Sequence, residues 1–344
     1  REISRPLKLL LASQPTRGLD IHATSFIREQ ICKARDQGMP LLWISEDLHE
    51  LHMVDDRIAD SIFQQIQTRP HEYSILARQK VRENFNFKDY YLDEWQDVYF
   101  QSRDSDIKIN GWLFNYFPNR PIIIVTHGIS PNGKCKSEAN LIASFLVNKK
   151  FNVLTIDLRN YGQSDTVSSY DDLGLKSYND ILGAFDFLKK IGFKSNSIGL
   201  HGISLGASTS IFAAHAEPEI RAVWADSSLA EFNMILKDEI ARYGLAIEFG
   251  PAVSLAGKIL TGTDPRELSP AKKLSKNQYY FFTHGDSDTR ILTRHFNYFK
   301  EYTNQNKINA EFWLVENSYH VDAMFKYPEV YSKKLEEFFN KNLK

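Results

Sequence analysis

The chain has 344 residues, 42% of them hydrophobic and 25% charged. This mixture excludes a disordered polymer and is ample to bury a core as one large domain or two smaller ones. Its 42 basic and 43 acidic residues nearly cancel, so no global field favours nucleic acid or an anionic membrane.

In chain order, residues 1–60 read as strand, loop, helix, strand, helix. Leu9–Leu11 is the heart of a short apolar run, and Gly18-Leu19-Asp20 punctuates a loop. Phe26, Ile27, Ile31 and Ala34 recur at helical spacing, and Pro40–Ser45 carries a second strand-like run. Residues 61–89 are expected to connect this part to the rest, since they are polar, weakly patterned and broken by Pro70. From Trp95 the pattern changes. Residues 96–101 and 107–115 form a predicted hairpin about the polar turn Arg103–Asp106. Predicted strands then follow at Ile122–Thr126, Phe151–Ile156, Ser197–Leu200, Ile220–Trp224, Tyr279–Thr283 and Ala310–Val315, with helices at 136–149, 174–190, 205–216, 291–304 and 327–341. Such alternation implies a mostly parallel sheet with helices on both faces. Between Asp226 and Pro270 lies a helical stretch without a strand. Its residues 229–273, with Phe232, Met234, Ile235, Leu245, Ile247 and Phe249, are expected to form a small helical cap. The longest apolar runs, Leu9–Ala12 and Ile122–Val125, fall far short of the roughly 18 residues of a membrane span. No signal peptide is visible, and the sequence opens at Arg1 rather than Met.

Gly202-Ile203-Ser204-Leu205-Gly206 follows an apolar strand and opens an Ala-rich helix. Glycines on either side permit a tight strand-to-helix turn that lifts a serine hydroxyl above the sheet, and the helix N-terminus favours developing negative charge. A serine needs a base, and the base needs an orienting acid, in the chain order Ser, Asp, His. Asp288, in Thr283-His284-Gly285-Asp286-Ser287-Asp288, and His320, in Glu316-Asn317-Ser318-Tyr319-His320, each follow a strand end, where ligands collect in open parallel sheets. Asp286 is the rival acid and ranks second. Backbone N–H groups of Leu205 and Ile129 are the expected oxyanion donors. His22, His49, His52, His71, His215 and His295 read as surface or helix residues, while His201 and His284 flank the key turns and are expected to hydrogen-bond locally.

Two cysteines far apart, Cys32 and Cys135, give neither a disulfide framework nor a CxxC pair, which fits a reducing, cytoplasmic setting. No metal site or cofactor is expected. A competing reading remains. Gly128-Ile-Ser-Pro-Asn-Gly133-Lys134-Cys135 nearly spells a phosphate-binding loop, with Asp157 as a conceivable magnesium partner. Cys135, however, stands where a Ser or Thr hydroxyl should hold the metal.

Residues 90–342 resemble the α/β-hydrolase superfamily, in particular its esterase, acyltransferase-like and serine aminopeptidase-like members, within an expected hydrolase domain of residues 90–344. The resemblance rests on Thr126-His127-Gly128, Asp157–Asp165, the Ser204 motif, Gly285–Asp288 and Tyr319-His320-Val321-Asp322. It implies a serine hydrolase acting on a small-molecule acyl substrate. Arg159-Asn160-Tyr161-Gly162 resembles a loop of such enzymes and reads as structural. Some related bacterial proteins carry an N-terminal membrane anchor, and none is expected here. Residues 1–60 resemble instead the distal end of an ABC-transporter ATPase of the sugar or nucleoside importer kind, through Ser13–Asp20 and Ile44-Ser45-Glu46-Asp47-Leu48. Ser13-Gln14 replaces the acidic pair expected before Pro15, and Glu46 stands where a switch histidine often sits, so this incomplete α/β fragment is expected to be catalytically silent. A non-enzymatic partner of transporter subunits, acting through that fragment, is the third reading.

Overall fold

The computed structural model describes residues 10–13, 41–44, 90, 92, 94–129, 139–168, 171–242 and 246–344. The chain divides into two compact units, Arg1–Leu76 and Ala77–Lys344. In the first unit, β1 (Leu10–Ser13) and β2 (Leu41–Ile44) pair in parallel, Leu10 opposite Leu41 and Ser13 opposite Ile44. The expected helix around Phe26–Ala34 lies outside the described residues.

The second unit carries an eight-stranded sheet. Its strands are β3 (Gln96–Gln101), β4 (Lys108–Phe114), β5 (Ile122–Thr126), β6 (Asn152–Ile156), β7 (Ile198–Ile203), β8 (Ala222–Asp226), β9 (Tyr279–Gly285) and β10 (Asn309–Val315), in the order β10-β9-β8-β7-β5-β6-β4-β3. The β3–β4 and β4–β6 pairs are antiparallel and the remaining pairs parallel. Every residue of β5, β6, β7 and β8 is buried, as an apolar strand covered on both faces requires. The order reverses at β5, which has β6 on one side and β7 on the other. Loops leaving neighbouring strands in opposite directions open a crevice at such a point.

The helices are α1 (Asn140–Asn148), α2 (Tyr178–Lys190), α3 (Leu205–Ala216), α4 (Phe232–Arg242), α5 (Gly250–Thr261), α6 (Arg294–Asn306), α7 (Ala323–Lys326) and α8 (Pro328–Asn342). Helix α3 is buried from Leu205 to Ala214, and Gly206–Ser210 and Ala213–Ala214 are small residues, which lets it lie close against the sheet. On α8, Tyr331, Leu335, Phe338 and Phe339 are buried. Trp224 of β8 stacks on Phe281 of β9 at 3.9 Å between ring centroids and meets Phe338 edge-on.

Some expected boundaries shift. β8 runs from Ala222 to Asp226 rather than from Ile220 to Trp224. Ile220 is buried, yet its N–H bonds the Glu217 carbonyl in a turn, and apolar burial alone does not separate turn from strand. The helix expected from 174 begins at Tyr178, because Gly174 turns with φ +92°. The stretch between β8 and β9 holds α4 and α5 and, among the described residues, no strand. Also among the described residues, no helix is long and apolar enough to cross a membrane.

Candidate active site

Ser204 joins β7 to α3 with φ 54° and ψ −110°, a region that costs of order 1–3 kcal/mol for a side-chain-bearing residue. The surroundings force it. A Cβ on Gly202 would lie 2.2 Å from the Gly206 carbonyl oxygen, and one on Gly206 would lie 2.4 Å from that of Thr126. Both glycines are therefore needed for the turn to close, and the second seats the N-terminus of α3 on the end of β5. The Ser204 N–H donates to the Asp226 carbonyl at 2.8 Å. Leu205 opens α3, where first-turn N–H groups have no acceptor within their own helix. Ile129 follows β5 and packs on the core.

The loops after β9 and β10 are tied to one another by backbone. The Ser287 N–H donates to the Ser318 carbonyl and the Asp286 N–H to that of Val315, both at 3.0 Å. This pairing presents His320 between the other two groups. Its Nε2 lies 3.0 Å from Ser204 Oγ, and its Nδ1 lies 2.7 Å from Asp288 Oδ2. An anionic carboxylate only accepts, so Nδ1 carries the proton and Nε2 accepts from the serine hydroxyl. Asp288 Oδ1 accepts the N–H groups of Arg290 and Ile291, each at 2.8 Å. Burial pushes the Asp288 carboxyl up, but the hydrogen bond and charge of His320, the charge of His284 and the Ile291 N–H outweigh it and hold it below the usual carboxylate range. Asp286 is exposed and bonds its neighbour Ser287. Thus the structure brings Ser204, His320 and Asp288 together and leaves Asp286 at the rim.

His284 bonds locally, to the Ile291 carbonyl at 2.7 Å. His201 does not. It sits 2.9 Å from the hydroxyl of Tyr331 on α8, 130 residues away, because its strand is buried and no local partner reaches it. Burial drives its pKa down to about 3. His215 is exposed, whereas His295 on α6 is fully buried and accepts the Ala230 N–H at 2.9 Å; His22, His49, His52 and His71 lie outside the described residues.

The rival phosphate-loop residues Gly133, Lys134 and Cys135 also lie outside the described residues. Asp157 is buried and accepts the Gln163 N–H at 2.9 Å, closing the turn at Gly162. In the next residues Arg159 pairs with Asp180 at 2.7 Å and Asp104 at 2.9 Å, a structural clamp. Among the described residues no three His, Cys, Asp or Glu side chains group as metal ligands would.

One set of residues carries no motif and went unseen in the sequence: Asp226, Ser227 and Tyr331. Asp226 is fully buried at the end of β8, with Tyr331 Oη at 2.7 Å and Ser227 Oγ at 2.8 Å. The one available signal was an acidic residue closing an apolar strand.

Residues 121–249 match the family model of the alpha/beta hydrolase fold. The structure is similar to the esterase Pf2001 of Pyrococcus furiosus, with 23% identity and a TM-score of 0.58 over 76% of this chain and 97% of that one. It is also similar to the acylaminoacyl peptidase of Pyrococcus horikoshii, with 20% identity and a TM-score of 0.56 over 75% of this chain and 43% of that one. The N-terminal part is similar to the nucleoside import ATP-binding protein NupA of Lactococcus lactis subsp. cremoris, 51% identical over 59 residues. That match spans 17% of this chain and only 12% of the importer protein. Beyond its N-terminal part, the chain has the α/β-hydrolase fold.

Proposed function

We propose that the chain is a serine hydrolase that cleaves a carboxylic ester or a related acyl bond through an acyl-enzyme. The reading rests on one observation, the imidazole of His320 bridging Ser204 Oγ and Asp288 within hydrogen-bond reach on both sides. Ser204 Oγ attacks the acyl carbon and passes its proton to His320 Nε2, while Asp288 stabilises the imidazolium. The N–H groups of Leu205 and Ile129 receive the oxyanion, each contributing about 10²–10³ in rate. His320 then returns the proton to the leaving oxygen as the carbon–oxygen bond breaks. Water, deprotonated by the same nitrogen, attacks the acyl-enzyme and frees the acid. The apolar content of residues 229–273 favours medium or hydrophobic acyl groups, and the scarcity of cysteine favours a cytoplasmic setting.

Pre-steady-state hydrolysis of p-nitrophenyl esters of graded chain length tests the reading. A burst of about one nitrophenolate per active site, abolished in Ser204→Ala, is expected of an acyl-enzyme. Turnover unchanged in Ser204→Ala would reject it.

A further inference from the structure

The buried group beneath the Ser204–His320 pair has a geometry of its own. Asp226 and Ser227 are consecutive, and each holds one half of the candidate site. The Asp226 carbonyl accepts the Ser204 N–H at 2.8 Å. Ser227 Oγ accepts the N–H of Val321, the residue after His320, at 3.2 Å. Both Ser227 and Val321 stand in left-handed backbone, with φ 54° and 59°, a conformation that is an outlier for β-branched valine and persists only when its surroundings over-determine it.

The hydroxyl of Ser227 is itself oriented. It donates to Asp226 Oδ1 at 2.8 Å, which turns its lone pairs toward Val321. Asp226 Oδ2 accepts from Tyr331, whose oxygen accepts in turn from His201 Nε2 at 2.9 Å. The Ser227 N–H is anchored on the Thr283 carbonyl at 2.9 Å, on the strand that leads to Asp288. A buried carboxylate served by two hydroxyls is an expensive way to fill space. It is an effective way to fix which direction a hydroxyl faces.

We propose that Asp226 and Ser227 are positioning residues, a strut that sets the distance between Ser204 and the His320–Val321 turn and so aligns the imidazole for proton transfer. The proposal rests on reading Ser204 and His320 as nucleophile and base. Misplacing a reacting group by about 1 Å can cost ~10²-fold in rate. The strut therefore acts on kcat, and substrate affinity does not depend on it.

The decisive variant is Ser227→Gly, because glycine suits the left-handed backbone while the hydroxyl is removed. Its fluorophosphonate labelling rate, its kcat and KM toward a p-nitrophenyl ester and its thermal midpoint are measured beside wild type. The expected result is labelling and kcat lowered about 10- to 100-fold, with KM and the melting temperature close to wild type. Wild-type labelling and kcat in Ser227→Gly, while wild type itself is labelled at Ser204, would overturn the strut and leave the serine-hydrolase reading standing. If wild type is not labelled at all, both fall together. Should Ser227→Gly fail to fold, Asp226→Asn puts the same question with side-chain size retained. It is expected to lower kcat about tenfold at unchanged KM, and an unchanged kcat there counts against the strut.

Discussion

Around Ser204 the chain is held by backbone and by buried groups. Glycine contacts close the turn, the Asp226 carbonyl of the neighbouring strand fixes the serine amide, and a fully buried carboxylate stands beneath it. Helix α4, between β8 and β9, is joined to the Asp288 loop and α6 by side-chain ion pairs, whose arginines are exposed while the Asp238 side chain is buried. These are Arg290 with Glu239 at 3.0 Å, and Arg294 with Asp238. Helix α5 and the turn before it leave Ile247, Phe249, Val253, Leu255 and Ile259 exposed. A solvent-accessible pair such as Arg290–Glu239 contributes about 0–1 kcal/mol, whereas a backbone clash in the Ser204 turn has no flexible side chain to yield. On the proposed reading, the chemistry is built on the backbone-held part, and the segment best placed to choose among substrates is the one whose sequence can change at little cost to the fold.

Substitutions at the two places should separate cleanly. Ser204→Ala or His320→Ala is expected to lower kcat by about 10⁶. Asp288→Asn should lower it by about 10⁴ by spoiling the tautomer that points Nε2 at the serine, while Asp286→Asn stays within about twofold; steady-state ester kinetics checks all four. Gly206→Ala drives a methyl into the Thr126 and His127 carbonyls at the end of β5 and should destabilise by about 3 kcal/mol in urea unfolding. Gly250→Ala, at the start of α5, meets only ordinary contacts at 3.7 Å and 3.8 Å and should stay within about 0.5 kcal/mol.

Two buried titratable groups, Asp226 and His201, give the site a pH signature. Burial pushes the Asp226 carboxyl up from 3.8 to about 6, against the lowering effect of its Tyr331 and Ser227 hydrogen bonds. The folded state then binds the proton more tightly than the unfolded chain does. Its stabilisation is complete below pH 4 and is lost, by on the order of 3 kcal/mol, as pH rises through 6. His201, held neutral by burial, works in the opposite sense and removes stability as pH falls from 6.5 toward 3. Comparing wild type with Asp226→Asn by urea unfolding at several pH values isolates the first effect. The variant should gain on wild type between pH 4 and pH 6, and a constant difference would contradict the assignment. Arg290→Ala should change stability by less than ~1 kcal/mol, with any kinetic effect confined to kcat/KM among esters of different size.

Much of this was legible in the sequence, for identifiable reasons. Runs rich in β-branched and apolar residues mark β5 and β6, and the Gly202–Gly206 spacing marks the turn because only glycine fits beside the Gly206 and Thr126 carbonyls. Asp288 and His320 could be found because each follows a strand end. Asp226, Ser227 and Tyr331 could not, since their meeting is set by how α8 packs on β7 and β8, and no local pattern encodes a contact across 105 residues. The same limit applies to His201, whose partner is equally remote.

Mapping the adduct of a fluorophosphonate probe by peptide mass spectrometry tests the central claim most directly. The expected result is one phosphonylated residue, Ser204, with labelling lost in His320→Ala. Modification of a different serine, or a Ser204 adduct that forms equally fast without the His320 imidazole, would contradict it.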